Sequence, residues 1–125
     1  MSDFRPVLYL KESCPFCLKV AAFLVEAGLF GGIDTRTFWP DDEREQPIRE
    51  ELAPHFDMVS FPALQYSVGK FINESEDIIA YFAKERAADL STMPFYAYTL
   101  SGPMRQMREQ FGEIRKLKQE LGQIK

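Results

Sequence analysis

The only two cysteines of the 125-residue chain form the motif Cys-Pro-Phe-Cys at residues 14–17. Disulfide frameworks of secreted proteins use more cysteines at wider spacing, so this pair is not a structural staple. A zinc site needs about four ligands, and the chain adds only one histidine, His55, which we interpret as a solvated or capping residue rather than a catalytic base. The spacing therefore predicts thiol chemistry, with an inert buried pair and a chance spacing as the alternatives.

The position of the motif in the predicted secondary structure favours a reactive thiol. Residues 7–10 form a short apolar run typical of a buried strand, and a helical pattern covers residues 15–27 before Gly28. Cys14 is therefore expected at a helix N-terminus, where free N–H groups and the helix dipole stabilise a thiolate. Cys17, one turn later, should be more buried and close enough to attack a mixed disulfide formed at Cys14.

The elements that position this motif are predicted from periodicity and turn residues. After the first strand and helix we expect a strand at residues 33–39, a short helix opened by Pro47, a hairpin at residues 61–66 and 68–72, and a helix at residues 75–84. The charged run at residues 41–45 is interpreted as a solvated loop. This order predicts an α/β fold with a mixed sheet and helices on both faces.

The pattern changes after residue 86. Residues 87–103 contain Pro94, Gly102 and an aromatic cluster and are predicted to be a connector, and residues 104–125 form an amphipathic helix. We therefore divide the chain into a domain at 1–86, a connector at 87–103 and a C-terminal helix at 104–125. The helix carries an apolar stripe of Met104, Met107, Phe111, Ile114, Leu121 and Ile124. Docking on its own domain is favoured over a homodimer, and its basic residues are interpreted as solvated.

Composition excludes several classes of protein. The chain is 46% hydrophobic and 27% charged with a net charge of −4, which argues against disorder and against a nucleic-acid partner. The apolar run at residues 7–10 is too short for a signal peptide or a membrane span. We therefore expect a cytoplasmic protein with no membrane partner.

Three segments together resemble glutaredoxins that carry a glutathione transferase-like N-terminal domain. Residues 11–17 resemble the active-site segment of dithiol glutaredoxins, and residues 60–62 match the cis-proline loop of thioredoxin-fold proteins. Residues 73–78 look like the Glu-Ser element of glutathione transferase N-terminal domains. The resemblance covers about residues 7–86 and implies a thioredoxin-like βαβαββα fold with a four-stranded mixed sheet. It also implies a glutathione-dependent thiol–disulfide oxidoreductase.

The resemblance assigns a role to each matching residue. Cys14 would attack a glutathione mixed disulfide, and Cys17 would resolve protein disulfides. Lys11 would favour the thiolate and attract a glutathione carboxylate, with an ordinary surface lysine as the alternative and Glu12 opposing its charge. Pro62 would be cis, so that the backbone of Phe61 pairs with the cysteine portion of glutathione; the alternative is a plain strand-entry proline.

The second half of the implied site binds the γ-glutamyl end of glutathione. Ser75 and the helix N-terminus would hold its carboxylate and Glu74 its amine, with simple helix capping by Asn73 or Ser75 as the alternative. Phe16 is expected either to line the glutathione groove or to be partly exposed packing. Phe61 is bulkier than the residue common at this place in glutaredoxins, which could narrow the groove.

The expected partners are glutathione as co-substrate and disulfide-containing or glutathionylated proteins, with no metal. A conjugating glutathione transferase is one alternative. It is disfavoured because a connector and one helix stand where such a protein continues into a helical domain of about a hundred residues. A non-catalytic glutathione-binding or partner-binding module is another. An iron–sulfur glutaredoxin is disfavoured by Pro15, where cluster binders tend to have glycine.

Overall fold

The computed structural model describes residues 4–122 and contains one four-stranded sheet. Its strands are β1 (Val7–Lys11), β2 (Asp34–Phe38), β3 (Ala63–Ser67) and β4 (Lys70–Asn73), in the spatial order β2-β1-β3-β4. Strands β1 and β2 are parallel, whereas β3 is antiparallel to both β1 and β4. The predicted mixed sheet is therefore confirmed. Ile124 of the predicted stripe lies outside the described residues.

Five helices accompany the sheet within the described residues. They are α1 (Pro15–Glu26), α2 (Glu45–Leu52), α3 (Ser75–Glu85), α4 (Pro94–Ser101) and α5 (Pro103–Gly122). Proline suits the first turn of α1 because its missing N–H has no helical partner there. Gly28 follows α1 with a φ of +76°, a left-handed conformation that glycine adopts without steric cost.

Two apolar cores lie on opposite faces of the sheet. On one face α1 and α3 pack over the sheet around Leu8, Phe23 and Leu64, and Tyr96 of α4 extends this core. On the other face α2 covers Tyr9 and Phe38. Because both faces are buried, the βαβαββα order implied for about residues 7–86 forms three layers, with the sheet between helices.

Several predicted boundaries are wrong by a few residues. Helix α2 begins at Glu45 rather than at Pro47, because the Glu45 carboxylate accepts the Asp41 N–H at 2.6 Å and pairs with Arg49 one turn later. Residues 61–62 belong to the loop before β3. Val68 is exposed and precedes the turn at Gly69, whose φ is +72°, so β4 starts only at Lys70.

The largest difference is helix α4, which lies inside the predicted connector at residues 87–103. Pro94 occupies its first position, and the Glu26 carboxylate of α1 accepts the N–H groups of Phe95 at 3.0 Å and Tyr96 at 2.7 Å. A side chain distant in sequence therefore caps this helix. The local sequence has no capping residue before Pro94, which is why the segment resembled a loop. The division of the chain into domains stays a prediction.

Helix α5 docks on the domain through its first turns. Met104 is fully buried and Met107 half-buried, and the helix contacts α1 and α4. Further along α5, the apolar stripe is exposed at Phe111, Ile114 and Leu121. None of the described helices is long and apolar enough to cross a membrane.

Candidate functional site

Cys14 is the N-cap residue of α1. Its backbone is extended, and its Sγ accepts the N–H of Cys17 at 3.4 Å. The preceding residue, Ser13, has a φ of +67°, an uncommon conformation for a non-glycine residue. The loop between β1 and α1 thus aims the Cys14 sulfur along the free N–H groups at the start of the helix, as the sequence predicted.

The pKa of the Cys14 thiol is lowered to about 6. The main cause is the hydrogen bond from the Cys17 thiol, which stabilises the Cys14 thiolate. Partial burial opposes it, and the backbone N–H groups of Cys17 and Phe16 and the positive charge of Lys11 add to the lowering. A thiolate at this position is consequently the dominant form near neutral pH.

Cys17 has the opposite environment. It is only 4% exposed, and its Sγ accepts the Lys11 N–H at 3.3 Å. Its hydrogen bond to Cys14 and its burial raise the pKa of the Cys17 thiol. Both thiols are free. The pair shares one proton, which Cys17 holds, so the pKa of Cys14 is lowered and the pKa of Cys17 is raised.

The loop before β3 lies against the Cys14 sulfur. The Phe61–Pro62 peptide bond is cis, and the Phe61 carbonyl oxygen is 3.9 Å from Cys14 Sγ. The Phe61 ring packs edge-on against Phe38, with centroids 4.8 Å apart, and the Arg49 guanidinium lies 5.2 Å above it. The ring is therefore anchored on the core side, and the backbone of Phe61 faces the thiol.

The N-terminus of α3 has no side-chain cap among the described residues. Glu74 is the N-cap residue, with a φ of +72° and no capping hydrogen bond, and Ser75 is the first helical residue and buried. The Asn73 side chain instead donates to the Ser60 hydroxyl at 3.0 Å. Helix capping by Asn73 or Ser75 was thus the wrong alternative, and the N–H groups at this helix end have no side-chain acceptor in residues 4–122.

Three cavities adjoin one another at the site, and Cys14 lines two of them. The central cavity, of about 410 Å³, is lined by Lys11, Cys14, Phe16 and Phe61 among others. The α3 cavity, of about 390 Å³, shares Phe16 and Phe61 and adds Pro62, Glu74 and Ser75. The third cavity, of about 360 Å³, shares Lys11 and Cys14 with the central cavity and is lined by Cys17, Leu10, Leu18 and Ala21 among others; we call it the apolar cavity. All eight residues predicted for the site therefore line this continuous groove.

Phe16 is partly exposed and also lines the groove, which are the two alternatives considered for it in the sequence. Its side chain is 37% exposed, and it lines both the central and the α3 cavity. His55 lines none of the three cavities; its ring stacks on Phe71 with centroids 3.9 Å apart. Within residues 4–122 no group of three or more His, Cys, Asp or Glu side chains is arranged to hold a metal ion.

Five basic or aromatic residues that line the central and α3 cavities were not among the predicted site residues. They are Lys19, Arg49, Arg108, Phe111 and Arg115. Lys19 is 3% exposed and forms an ion pair with Glu76, and Arg49 forms one with Glu45. The signal was present in α5, where Arg108 and Arg115 repeat at a spacing of seven and Phe111 lies between them. It was overlooked because basic residues on a helix are usually solvated.

A helix that starts at a thiolate, a proline loop facing that thiolate, and an uncapped second helix N-terminus together define a thiol site on a thioredoxin-like domain. Residues 13–85 match the model of the family described as glutathione S-transferase, N-terminal domain. The match covers more than half of the 125 residues, so the chain belongs to this family.

Two solved structures share the fold. Glutathione transferase Omega 3C from Trametes versicolor matches with a TM-score of 0.53 and 24% identity, over 78% of this chain and 42% of that one. A glutathione S-transferase from the Antarctic clam Laternula elliptica matches with a TM-score of 0.50 and 22% identity, over 66% and 35%. The chain thus spans less than half the length of these proteins. No functionally curated protein matched significantly.

Proposed function

We propose that the chain is a glutathione-dependent thiol–disulfide oxidoreductase of the glutaredoxin type. The observation that carries the proposal is the asymmetric pair of thiols: the pKa of half-buried Cys14 is lowered to about 6, which favours its thiolate, and buried Cys17 holds the proton. A thiolate with a low pKa attacks disulfides near neutral pH and is also a good leaving group. Membership of a glutathione transferase domain family supports glutathione as the co-substrate.

The reaction would proceed by thiol–disulfide exchange at Cys14. Its thiolate attacks the glutathione sulfur of a mixed disulfide, forms a Cys14–glutathione disulfide and releases the substrate thiolate. A second glutathione thiolate attacks the bound glutathione sulfur, which yields glutathione disulfide and regenerates the Cys14 thiolate. With a protein disulfide, Cys14 forms the mixed disulfide and Cys17, once deprotonated, displaces the second protein thiolate. Two glutathione molecules then reduce the Cys14–Cys17 disulfide.

In the proposed complex, glutathione would lie along the groove in one orientation. The γ-glutamyl carboxylate fits the uncapped N-terminus of α3 beside Ser75, and its amine fits Glu74 in the same cavity. The backbone of Phe61 lies where the cysteine portion would pass Cys14. The glycyl carboxylate then enters the central cavity, which Lys11 and Arg49 line. Each charged end of the tripeptide thus has a complementary side chain.

A turnover assay with a glutathione mixed disulfide tests the proposal. We expect activity that disappears in Cys14→Ser. Activity should persist in Cys17→Ser, because only the protein-disulfide route needs the second thiol, but at a reduced level, because the hydrogen bond that lowers the Cys14 pKa is lost. Activity that survives in Cys14→Ser would contradict the mechanism. Binding of glutathione without turnover in the parent protein would indicate a non-catalytic module instead.

The apolar cavity favours a second candidate, conjugation of glutathione to a hydrophobic electrophile. Leu10, Leu18 and Met107 line this space next to Cys14. A conjugating enzyme would act on an aromatic electrophile and would tolerate Cys17→Ser fully. The same assay series with such an electrophile separates the two activities.

The physiological setting follows from the same proposal. Reduced glutathione is abundant in the cytoplasm, where thiols are kept reduced, so we propose a cytoplasmic location. The protein partners would be glutathionylated or disulfide-containing proteins. A homodimer through α5 remains a proposal that sedimentation can test.

A further inference from the structure

Helix α5 lies outside the residues that match the family, yet it closes one wall of the groove. Arg108 lines the α3 cavity, and Phe111 and Arg115 line the central cavity. The buried Met104 fixes the start of the helix against the domain. Side chains at spacings of three, four and seven share one helical face, so these residues face the groove together.

The two arginines carry charges that the described residues do not neutralise. Neither Arg108 nor Arg115 forms an ion pair within residues 4–122, whereas Arg105 on the same helix pairs with Glu109. The Arg115 guanidinium lies 5.7 Å from the centroid of the Phe111 ring, which holds it over the central cavity. Glu76, in the cavity that Arg108 lines, is already paired with Lys19.

The spacing of the arginines matches the spacing of the carboxylates of glutathione. Seven helical residues correspond to a rise of about 10 Å, and an extended chain of three residues spans roughly 10 Å. Glutathione carries one carboxylate at each end and its thiol between them. Cys14 lies where the central and apolar cavities meet, and Phe61 joins the central to the α3 cavity.

We propose that α5 is a glutathione clamp in which Arg108 binds the γ-glutamyl carboxylate with Ser75 and Arg115 binds the glycyl carboxylate. The inference rests on the proposed use of glutathione and adds a binding element outside the matched domain. Guanidinium groups suit this role because they pair with carboxylates in a bidentate geometry. Phe111 between them covers the apolar middle of the ligand.

Isothermal titration of a Cys14→Ser protein, which cannot form a mixed disulfide, tests the clamp with two ligands. These are glutathione and glutathione amidated at the glycyl carboxylate. Arg115→Gln should bind glutathione about tenfold more weakly but should bind the amide as the parent does. Arg108→Gln should lose about the same factor for both ligands, because the γ-glutamyl carboxylate is present in each.

Arg105→Gln is the matched control, because Arg105 is on the same helix, is paired with Glu109 and lines none of the three cavities. In the Cys14→Ser background, Arg105→Gln should bind both ligands with the same affinity as the Cys14→Ser protein itself. Unchanged glutathione affinity in Arg108→Gln or Arg115→Gln would overturn the clamp and leave the proposed function intact. A parent protein that binds neither ligand would overturn the proposed function itself. Far-ultraviolet circular dichroism confirms that each variant keeps its helices.

Discussion

The reactivity of Cys14 depends mainly on hydrogen-bond donors at the start of α1, and the charge of Lys11 makes a smaller contribution. The largest contribution to its lowered pKa is a hydrogen bond from the Cys17 thiol, and backbone N–H groups of the first helical turn add to it. His55 lines none of the three cavities, and its ring stacks on Phe71. The nucleophile is therefore activated mainly by the neighbouring Cys17 thiol and by the backbone N–H groups of a helix start.

The rate of Cys14 alkylation as a function of pH measures the pKa of this thiol directly. The thiolate fraction of Cys14 rises as pH passes its pKa, so the rate with iodoacetamide should have a midpoint at about pH 6. An unperturbed thiol has its midpoint near ~8.5. Cys17→Ala should move the midpoint upward, because it removes the largest stabilising hydrogen bond. A midpoint of about 8 or higher in the parent protein would count against a catalytic thiolate.

At the scale of elements, one carboxylate determines how the C-terminal segment docks. Glu26 is the last residue of α1, where a negative charge opposes the dipole of its own helix. Its carboxylate instead accepts two N–H groups at the start of α4. Helix α4 in turn contacts α5, so Glu26 positions the helix that carries Arg108 and Arg115.

Removal of this cap should loosen α4. Glu26→Ala is expected to lower the free energy of unfolding by about 1 kcal/mol and to accelerate amide exchange at Phe95 and Tyr96. Glu85→Ala is the matched control, because Glu85 is also the last residue of its helix but caps no other. Urea unfolding and hydrogen exchange measure both variants. Equal losses of stability would mean that the contact to α4 contributes nothing.

The same element shows where prediction from sequence succeeds and where it fails. Strand β1, helix α1 and the order of the domain follow from local signals such as Pro15, Gly28 and apolar periodicity. The cap of α4 by Glu26 joins residues about 70 positions apart, and no local pattern encodes it. The eight predicted site residues lie in motifs, whereas Arg49 and Arg108 enter the groove only through tertiary packing.

At the scale of the whole molecule, the charge of the groove differs from that of the chain. The net charge is −4, yet the central cavity is lined by Lys11, Arg49 and Arg115 with Glu12 as the opposing carboxylate. A concave site with a positive field attracts anionic ligands even when the whole molecule is acidic. The groove is therefore suited to disulfides that carry carboxylates.

The dependence of the reaction rate on ionic strength should separate the long-range electrostatic attraction of the ligand from the thiol–disulfide exchange step. The second-order rate of Cys14 with glutathione disulfide, which is anionic, is expected to fall several-fold between low and high salt, because the Debye length shrinks to about 3 Å at 1 M. Neutral hydroxyethyl disulfide should show a much weaker dependence, which controls for salt effects on the thiolate. Equal salt dependence for both disulfides would argue against electrostatic steering.

The burial of Cys17 next to the more accessible Cys14 thiolate also affects how the protein withstands oxidation. Peroxide converts an accessible thiolate to a sulfenic acid, which further peroxide drives to irreversible acids unless a thiol condenses with it. Cys17 is 4% exposed, so peroxide reaches Cys14 first, and the Cys17 thiol can then close a disulfide with loss of water. We expect mass spectrometry of peroxide-treated protein to find that disulfide in the parent and sulfinic acid at Cys14 in Cys17→Ser. Sulfinic acid in both proteins would show that the second sulfur offers no protection.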